Sequence, residues 1–146
     1  MSVKRYCSRN VDTVTPAESV QTAAGRLHAR KVGCLVVVDA LNQRQPIGIV
    51  TDRDIAVRVV AEGRDPQSTC ISDIMTLFPD KVREDTSIQD ALRIMRSGSF
   101  RRVPVINEDG SLVGLLSLDD VLRAVARELS DVSRLIEQEG PTSLAG

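Results

Sequence analysis

The chain has 146 residues, of which 42% are hydrophobic and 27% are charged, and its net charge is −1. These figures predict one globular domain, and no apolar run in the sequence approaches the about 18–20 residues needed to span a bilayer. The near-balance of charge argues against a nucleic-acid partner, and the absence of Trp, with one Tyr and two Phe, argues against a base-binding site built on ring stacking.

The first ten residues, MSVKRYCSRN, carry charges but no apolar stretch, so we expect no secretory signal. Cys7, Cys34 and Cys70 are far apart and do not form a CxxC pair. Such cysteines are typical of reduced thiols in a cytoplasmic protein, and neither a disulfide framework nor a metal site is expected.

The chain contains one unit twice. Residues of the first half have similar counterparts 68 positions later: Val14, Ser19, Val20, Gln21, Ala23, Leu27 and Val37 correspond to Val82, Ser87, Ile88, Gln89, Ala91, Met95 and Val105. After a polar loop of different length the shift becomes 66, and Gly48, Thr51, Asp54 and Glu62 correspond to Gly114, Ser117, Asp120 and Glu128. Two copies of this length favour a pair of units packed face to face over an open repeat array.

The first unit begins with a short apolar segment at Val11–Val14, followed by a helix that Ser19 is positioned to cap. Apolar runs at Leu35–Val38 and Ile47–Val50 predict two strands joined by a polar turn. A second helix is predicted over Asp52–Glu62, with Gly63 at its C-terminal end.

The second unit repeats this order. Its leading segment is Pro79–Val82, Ser87 is positioned to cap the first helix, and the strands are predicted at Val103–Ile106 and Leu112–Leu116. The final helix is predicted over Leu118–Glu128 and is expected to continue before Gly140-Pro141 ends it.

The predicted fold class is therefore α/β (α+β), with two β-α-β-β-α repeats related by pseudo-twofold symmetry. The predicted boundaries are residues 6–63 for the first repeat, 64–73 for a linker, 74–130 for the second repeat, and 131–146 for a helical extension with a frayed tail.

The segments IGIVTDRDIAVRVV and LVGLLSLDDVLRAV both resemble the end of a cystathionine-β-synthase-type (CBS) domain, with a strand followed by Ser/Thr-x-x-Asp at a helix start. RRVPVINEDG resembles the central strand and turn of that family, and SDIMT resembles its leading linker. The resemblance covers about residues 6–128. It implies one module of two repeats with a cleft on each side of the pseudo-twofold axis, which binds adenosine-containing ligands and regulates rather than catalyses.

Thr51 and Ser117 are predicted to lie at the junctions between a strand and a helix, where free backbone N–H groups favour phosphate. Asp54 and Asp120 follow three residues later, and a carboxylate accepts hydrogen bonds from the two hydroxyls of a ribose. The alternative is purely structural: the hydroxyl caps the helix and the Asp favours its first turn electrostatically. The occurrence of the motif in both copies favours the ligand-binding interpretation.

The resemblance also implies which residues form two clefts. One cleft would use Asp12, Val32, Gly33, Arg101, Arg102, Leu115, Ser117 and Asp120, and the other Asp80, Phe100, Gly33, Cys34, Ile49, Thr51 and Asp54. Arg101-Arg102 stands where the first repeat has Gly33-Cys34, so the cleft with the arginines is the better candidate for a phosphorylated ligand. The arginines could instead form a solvated strand edge or an ion pair between subunits. The neighbouring acids Asp52 and Asp119 are expected to serve the helix dipole or to face solvent.

The leading hypothesis is a non-catalytic sensor of AMP, ADP or ATP, with no resident cofactor, that passes ligand occupancy to an unidentified protein partner or to a second copy. The alternative is a structural interaction module with unoccupied clefts, and a sensor of NAD(H) or S-adenosylmethionine is less favoured. No catalytic constellation supports an enzyme. A homodimer is expected through the aliphatic faces of the second helices, which carry Ile55, Val59, Val60, Val121, Leu122 and Val125.

Overall fold

The computed structural model describes residues 2–78, 82–98 and 101–144. It is a mixed α+β structure in which the described residues form two sheets and five α-helices. The strands are β1 (Thr13–Val14), β2 (Cys34–Val38), β3 (Pro46–Thr51), β4 (Thr76–Leu77), β5 (Val82–Arg83), β6 (Arg102–Ile106) and β7 (Leu112–Ser117). The helices are α1 (Val20–Arg30), α2 (Asp52–Ile55), α3 (Ile71–Ile74), α4 (Ile88–Gly98) and α5 (Leu118–Leu144).

The two halves follow the predicted order of strands and helices, and they repeat the same strand pairing. β1 pairs in parallel with β2, and β5 with β6, so that Val14 lies beside Val37 and Val82 beside Val105. β2 pairs antiparallel with β3, and β6 with β7, and the register shifts at the equivalent place near the end of both β2 and β6. The duplication seen in the sequence is therefore a duplication of backbone geometry.

Each sheet is completed by a segment from the other half of the chain. β4 follows the first repeat and pairs with β3, while Ser8 near the N-terminus forms a bridge with Leu115 of β7. Gly48 and Gly114 lie at these two crossings, where a side chain's Cβ would come within 2.8 Å of the Thr76 carbonyl oxygen and 2.9 Å of the Ser8 carbonyl oxygen, respectively. Only glycine permits so close an approach of two backbones.

The core consists of two aliphatic clusters, one in each half. Leu35 and Val50 are fully buried in the first cluster, together with Ile71 and Ile74 of α3, which lies at the end of the predicted linker. Leu116 is fully buried in the second cluster, and Val3 from the N-terminal segment is buried beside it. None of the buried residues of the two clusters is aromatic, and Tyr6 packs, partly buried, against the second cluster.

Two helices differ from their predicted extents. The α-helical geometry of α2 ends at Ile55 and the chain continues as a π-helical segment, Ala56–Val60. Gly63 then adopts a left-handed conformation with φ of 68°, as a helix-terminating glycine does. The prediction that Gly140-Pro141 ends the last helix is wrong, because α5 continues to Leu144. A proline removes one backbone donor and disfavours a helix by about 3 kcal/mol, but it does not forbid one.

The aliphatic helix faces are only partly exposed. Val59 and Val121 pack into the two cores, whereas Val60, Leu122 and Val125 expose 71%, 58% and 40% of their surfaces. Among the described helices, none is both long and apolar enough to cross a membrane.

Candidate functional site

A cleft of about 750 Å³ lies where the ends of β3 and β7 meet the beginning of β6. Both halves of the chain contribute to its walls. It is lined by Ile49, Thr51, Asp52, Arg53, Asp54, Arg58, Thr76, Gly98, Arg101, Arg102, Ser117, Leu118 and Asp119.

Two helices begin at this cleft with the same reciprocal hydrogen bonds. At the start of α2, the Thr51 hydroxyl accepts from the Asp54 N–H at 3.1 Å, and the Asp54 carboxylate accepts from the Thr51 N–H at 2.9 Å. At the start of α5, the Ser117 hydroxyl and the Asp120 carboxylate exchange the equivalent bonds, both at 3.0 Å. These are capping boxes, so the structural interpretation of the motif describes real contacts in both copies.

The capping boxes leave part of each motif available. A hydroxyl that accepts one hydrogen bond still has its own hydrogen to donate, and each carboxylate uses only Oδ2 in the box. The remaining Oδ1 atom of Asp54 lies 3.9 Å from Arg58 Nε, and that of Asp120 lies 3.7 Å from Arg123 Nη1. Capping and ligand binding are therefore compatible uses of the same residues.

Arg101 and Arg102 bring positive charge from the second half towards the first. The Arg101 carbonyl accepts from the Leu118 N–H at 2.7 Å, just as the Gly33 carbonyl accepts from the Asp52 N–H at 3.0 Å. A Cβ on Gly33 would lie 3.4 Å from Arg102 Nη2, so this guanidinium reaches across to the first half. Within the described part of the chain, neither arginine has a carboxylate within ion-pair distance.

The cleft combines residues that the sequence assigned to two separate clefts. Thr51, Asp54 and Ile49, from the second predicted set, line it together with Arg101, Arg102 and Ser117, from the first. The other predicted residues within the described ranges, which are Asp12, Val32, Gly33, Cys34, Leu115 and Asp120, are not among its lining residues. Asp80 and Phe100 lie outside the described residues.

Two predicted residues have structural partners of their own. Asp12 accepts a hydrogen bond from Arg30 Nε at 2.8 Å. Cys34 is buried beside Thr51 in the β2–β3 pairing, and burial raises the pKa of its thiol against the opposing influence of Arg102. A protonated, buried thiol at this position packs as a small hydrophobic side chain and is not activated as a nucleophile.

Sequence reasoning missed seven lining residues: Asp52, Arg53, Arg58, Thr76, Gly98, Leu118 and Asp119. The two acids were expected to serve the helix dipole or to face solvent; both are exposed in the first turn of their helices, and both also line the cleft. Arg58 had a detectable signal, since its counterpart in the second repeat is Ala124 and a charged residue present in only one copy marks a local difference. Arg58 Nη1 also donates to the Ile74 carbonyl at 2.8 Å.

The cleft therefore holds four guanidinium groups and three carboxylates around two helix starts. Such an arrangement suits an anionic ligand that also carries hydroxyl donors. Among the described residues, no group of three or more His, Cys, Asp or Glu is placed to hold a metal ion.

The profile of the CBS domain matches residues 3–61 and 71–127 of this chain. Among curated relatives, the CBS domain-containing protein YhcV of Bacillus subtilis is 36% identical over 120 residues, covering 82% of both chains. The protein MK0525 of Methanopyrus kandleri is 31% identical over 123 residues, which cover 84% of this chain but 62% of that protein. The chain thus spans less than two thirds of some relatives that it matches.

Solved structures of CBS-domain proteins also superpose on this chain. The CBS domain protein PAE2072 from Pyrobaculum aerophilum, complexed with AMP, superposes with a TM-score of 0.78 at 28% identity, covering 90% of this chain and 99% of that one. A hexameric CBS-CP12 protein from bloom-forming cyanobacteria superposes with a TM-score of 0.74 at 28% identity, covering 84% of this chain and 69% of that one.

Proposed function

The chain belongs to the CBS-domain family, with two CBS domains in tandem, and we propose that it is a regulatory module that binds an adenine nucleotide in the cleft. AMP, ADP and ATP are the proposed ligands. Occupancy of a cleft lined by both halves favours one arrangement of these halves, and a protein partner or a second copy senses that arrangement. The module itself performs no catalysis and works in the cytoplasm.

The observation that carries this proposal is the meeting of Arg101 and Arg102 with the Thr51 and Ser117 hydroxyls in one cleft. Guanidinium groups bind phosphate oxygens through paired, charge-assisted hydrogen bonds. The hydroxyls add donors beside them. We therefore place the phosphates of the nucleotide beside these two arginines and two hydroxyls.

Asp54 is the proposed partner of the ribose. Its Oδ1 atom lies outside the capping box and its side chain is 19% exposed at the cleft wall. A hydrogen bond between a carboxylate and a hydroxyl contributes roughly 1.5–3 kcal/mol, which is enough to matter in a micromolar site. Ile49 supplies an aliphatic surface for the base, consistent with the scarcity of aromatic residues.

The remaining predicted residues stay predictions. The resemblance assigns Asp12, Val32, Gly33, Leu115 and Asp120 to the cleft of Ser117, and Asp80, Phe100, Gly33 and Cys34 to the cleft of Thr51. The complex of PAE2072 with AMP supports the nucleotide assignment in general, because that protein shares the fold over nearly its whole length.

Assembly into a homodimer is also proposed, through the exposed aliphatic residues Val60 and Leu122 on the second helices. The hexameric state of the CBS-CP12 neighbour supports oligomerisation as a property compatible with this fold. In a homodimer, the arrangement of the halves that a bound ligand favours in one copy can be sensed by the second copy.

Isothermal titration calorimetry of the wild-type chain with AMP, ADP and ATP tests the proposal, and NAD(H) and S-adenosylmethionine complete the set of ligands. We expect Arg102→Ala to raise the Kd for the bound nucleotide at least about tenfold, because a charge-assisted contact is lost. Arg93→Ala is the matched control: it removes the same charge from an exposed position on α4, where Arg93 pairs with Asp90 at 2.9 Å.

A wild-type chain that binds none of these ligands at millimolar concentration would favour the second candidate, a structural interaction module with unoccupied clefts. The capping boxes at Thr51 and Ser117 support this alternative, since they explain both motifs without a ligand. Equal affinities of wild type and Arg102→Ala would instead remove Arg102 from the site while leaving nucleotide binding intact.

A further inference from the structure

Arg58 connects the cleft to the segment that leads from the first half to the second. Its side chain lines the cleft, and its Nη1 atom donates a hydrogen bond of 2.8 Å to the carbonyl oxygen of Ile74. Its Nε atom lies 3.9 Å from Asp54 Oδ1, the carboxylate oxygen that the capping box does not use. One guanidinium thus lies between the proposed ribose partner and a backbone group of another element.

The Ile74 carbonyl belongs to a segment that the first half holds closely. We refer to residues 71–77, from the start of α3 to the end of β4, as the joining segment. Ile71 and Ile74 are fully buried in the first core, and the Ile71 N–H donates to the Glu18 carbonyl at 3.0 Å. β4 pairs with β3, and Thr76 of β4 lines the cleft. A change in the contact at Ile74 therefore acts on a segment that borders the cleft and continues into the second half.

Arg58 supplies a partner that the end of α3 needs. The last carbonyls of an α-helix have no partner within the helix, and a cationic side chain near them is a favourable donor. Ile74 is the last residue of α3, and its carbonyl accepts from Arg58, which lies in the π-helical segment after α2. A guanidinium has five N–H donors, so this bond leaves others to face Asp54 and a ligand. Arg58 can therefore serve the helix end and the cleft at once.

The second motif has a different residue at this position. The counterpart of Arg58 is Ala124, which is buried and whose side chain has no hydrogen-bond donor. Asp120, the counterpart of Asp54, lies instead 3.7 Å from Arg123, whose side chain is 74% exposed. Only position 58 lies in a π-helical segment, and turns of this kind are frequent at functional sites. The two motifs share a capping box, whereas the connection to the joining segment belongs to the first.

We propose that Arg58 is a positioning residue that couples Asp54 to the joining segment, an inference that rests on the proposed function because it takes Asp54 as the ribose partner. The Asp54 carboxylate attracts Arg58 and orients it for its bond to Ile74. A bound nucleotide displaces water from the guanidinium, which is 46% exposed, and thereby strengthens both of its contacts. The joining segment then opens less often, so occupancy of the cleft is passed to the chain between the two halves.

Hydrogen exchange of the joining segment in the full chain tests the coupling without a ligand. Arg58→Ala and Asp54→Asn should each speed the exchange of its amides about twofold to fivefold, the range expected for a partly exposed ion pair. In the Arg58→Ala background, Asp54→Asn should change these amides by less than about 1.5-fold, because the residue that carries its effect is gone. Arg123→Ala is the matched control, since it removes the arginine beside Asp120 and should leave the joining segment as in the wild type.

The same measurement with AMP, ADP or ATP at saturation tests the response to a ligand. The bound nucleotide should slow the exchange of the joining segment at least about threefold in the wild type. This slowing should be absent in Arg58→Ala, even where calorimetry shows that the variant is saturated.

Two results would overturn the coupling. Equal effects of Asp54→Asn with and without Arg58 would leave Arg58 a structural cap of α3. Slowing by the nucleotide that survives in Arg58→Ala would show that occupancy reaches the joining segment by another route. A wild type that binds none of the three nucleotides would count against the proposed function, while the comparison without ligand would still decide the coupling.

Discussion

The two halves share a backbone but differ in the helix that the shared motif begins. In the first half, the capping box opens the short α2, which passes into a π-helical segment and ends near Gly63. In the second half, the same box opens α5, which has 27 residues and extends beyond the body. The two helix starts are thus equivalent, while the helices that follow them differ in length and geometry.

The two halves also differ in the positions from which they contribute charged residues to the cleft. The first half contributes Arg53 and Arg58 to the cleft, whereas position 124, the counterpart of Arg58, is a buried alanine. The second half contributes Arg101 and Arg102, where the first has Gly33 and Cys34. Each half therefore brings at least one arginine to the cleft from a position where the other half has an uncharged residue, which a perfectly symmetric repeat would not provide.

The largest expected effect tests the crossings that the two halves share. Gly48→Ala and Gly114→Ala should each lower the free energy of unfolding by about 1–3 kcal/mol, because the new methyl group would overlap a backbone carbonyl of the crossing segment. Chemical denaturation measures both. Gly114→Ala should be at least as damaging as Gly48→Ala, since its methyl group would meet the Cys7 side chain at 2.8 Å in addition to the Ser8 carbonyl oxygen at 2.9 Å; two neutral substitutions would contradict the close approach.

The next prediction distinguishes the role of the Asp54 carboxylate from that of Asp120. Asp54→Asn and Asp120→Asn disturb equivalent capping boxes and should destabilise the protein similarly. Only Asp54 lines the cleft, so we expect Asp54→Asn to weaken nucleotide binding at least about tenfold and Asp120→Asn to leave it within about twofold. Calorimetric titration of both variants checks this. The opposite order would place the occupied site at the second motif.

A smaller effect concerns an ion pair found only in the first half. Glu18 accepts hydrogen bonds from Arg26 at 2.8 and 3.2 Å, and this contact lowers the pKa of the Glu18 carboxyl below its ordinary value of 4.5. The corresponding residues of the second half are Thr86 and Ile94. Because the folded pKa is depressed, the stabilisation is complete above pH 4.5 and is lost as the pH falls through the folded pKa.

Glu18→Gln should therefore cost about 1 kcal/mol at pH 7, and the difference from wild type should shrink as the pH falls below 4.5. Thermal melts at several pH values measure this. A difference that stays constant down to pH 3 would show that packing, and not the charge of Glu18, is responsible.

The smallest expected effect concerns a helical glycine in the first half that has a non-glycine counterpart in the second. Gly25 lies inside α1, where the second half has Arg93, and a Cβ at this position would meet no atom within 4 Å. Gly25→Ala should raise the free energy of unfolding by about 0.5–1 kcal/mol, because alanine favours a helix more than glycine does. Denaturation of this variant also serves as the control for Gly48→Ala, and a loss of stability would contradict the open space around Gly25.

The duplicated motif made the fold and the family predictable, and the structure and the comparisons confirm both. Ser19 could be identified as a helix cap from its position alone, and its hydroxyl accepts from the Thr22 N–H at 3.1 Å. The extent of α5 was less predictable, because a proline changes the energy of a helix by an amount that neighbouring residues can offset. The grouping of Thr51 with Arg102 and Ser117 was not predictable, since it depends on how the two halves face each other.

The sequence by itself determined the β-α-β-β-α order of each half, the duplication of that order, the aliphatic core and the residues at the two helix starts. These properties are local, because periodicity and capping preferences act over a few neighbouring residues. Only the tertiary structure decided that Gly48 and Gly114 receive backbone from the opposite half and that Arg102 reaches towards Gly33. These contacts join positions far apart in the chain, and the packing of two halves against each other sets them.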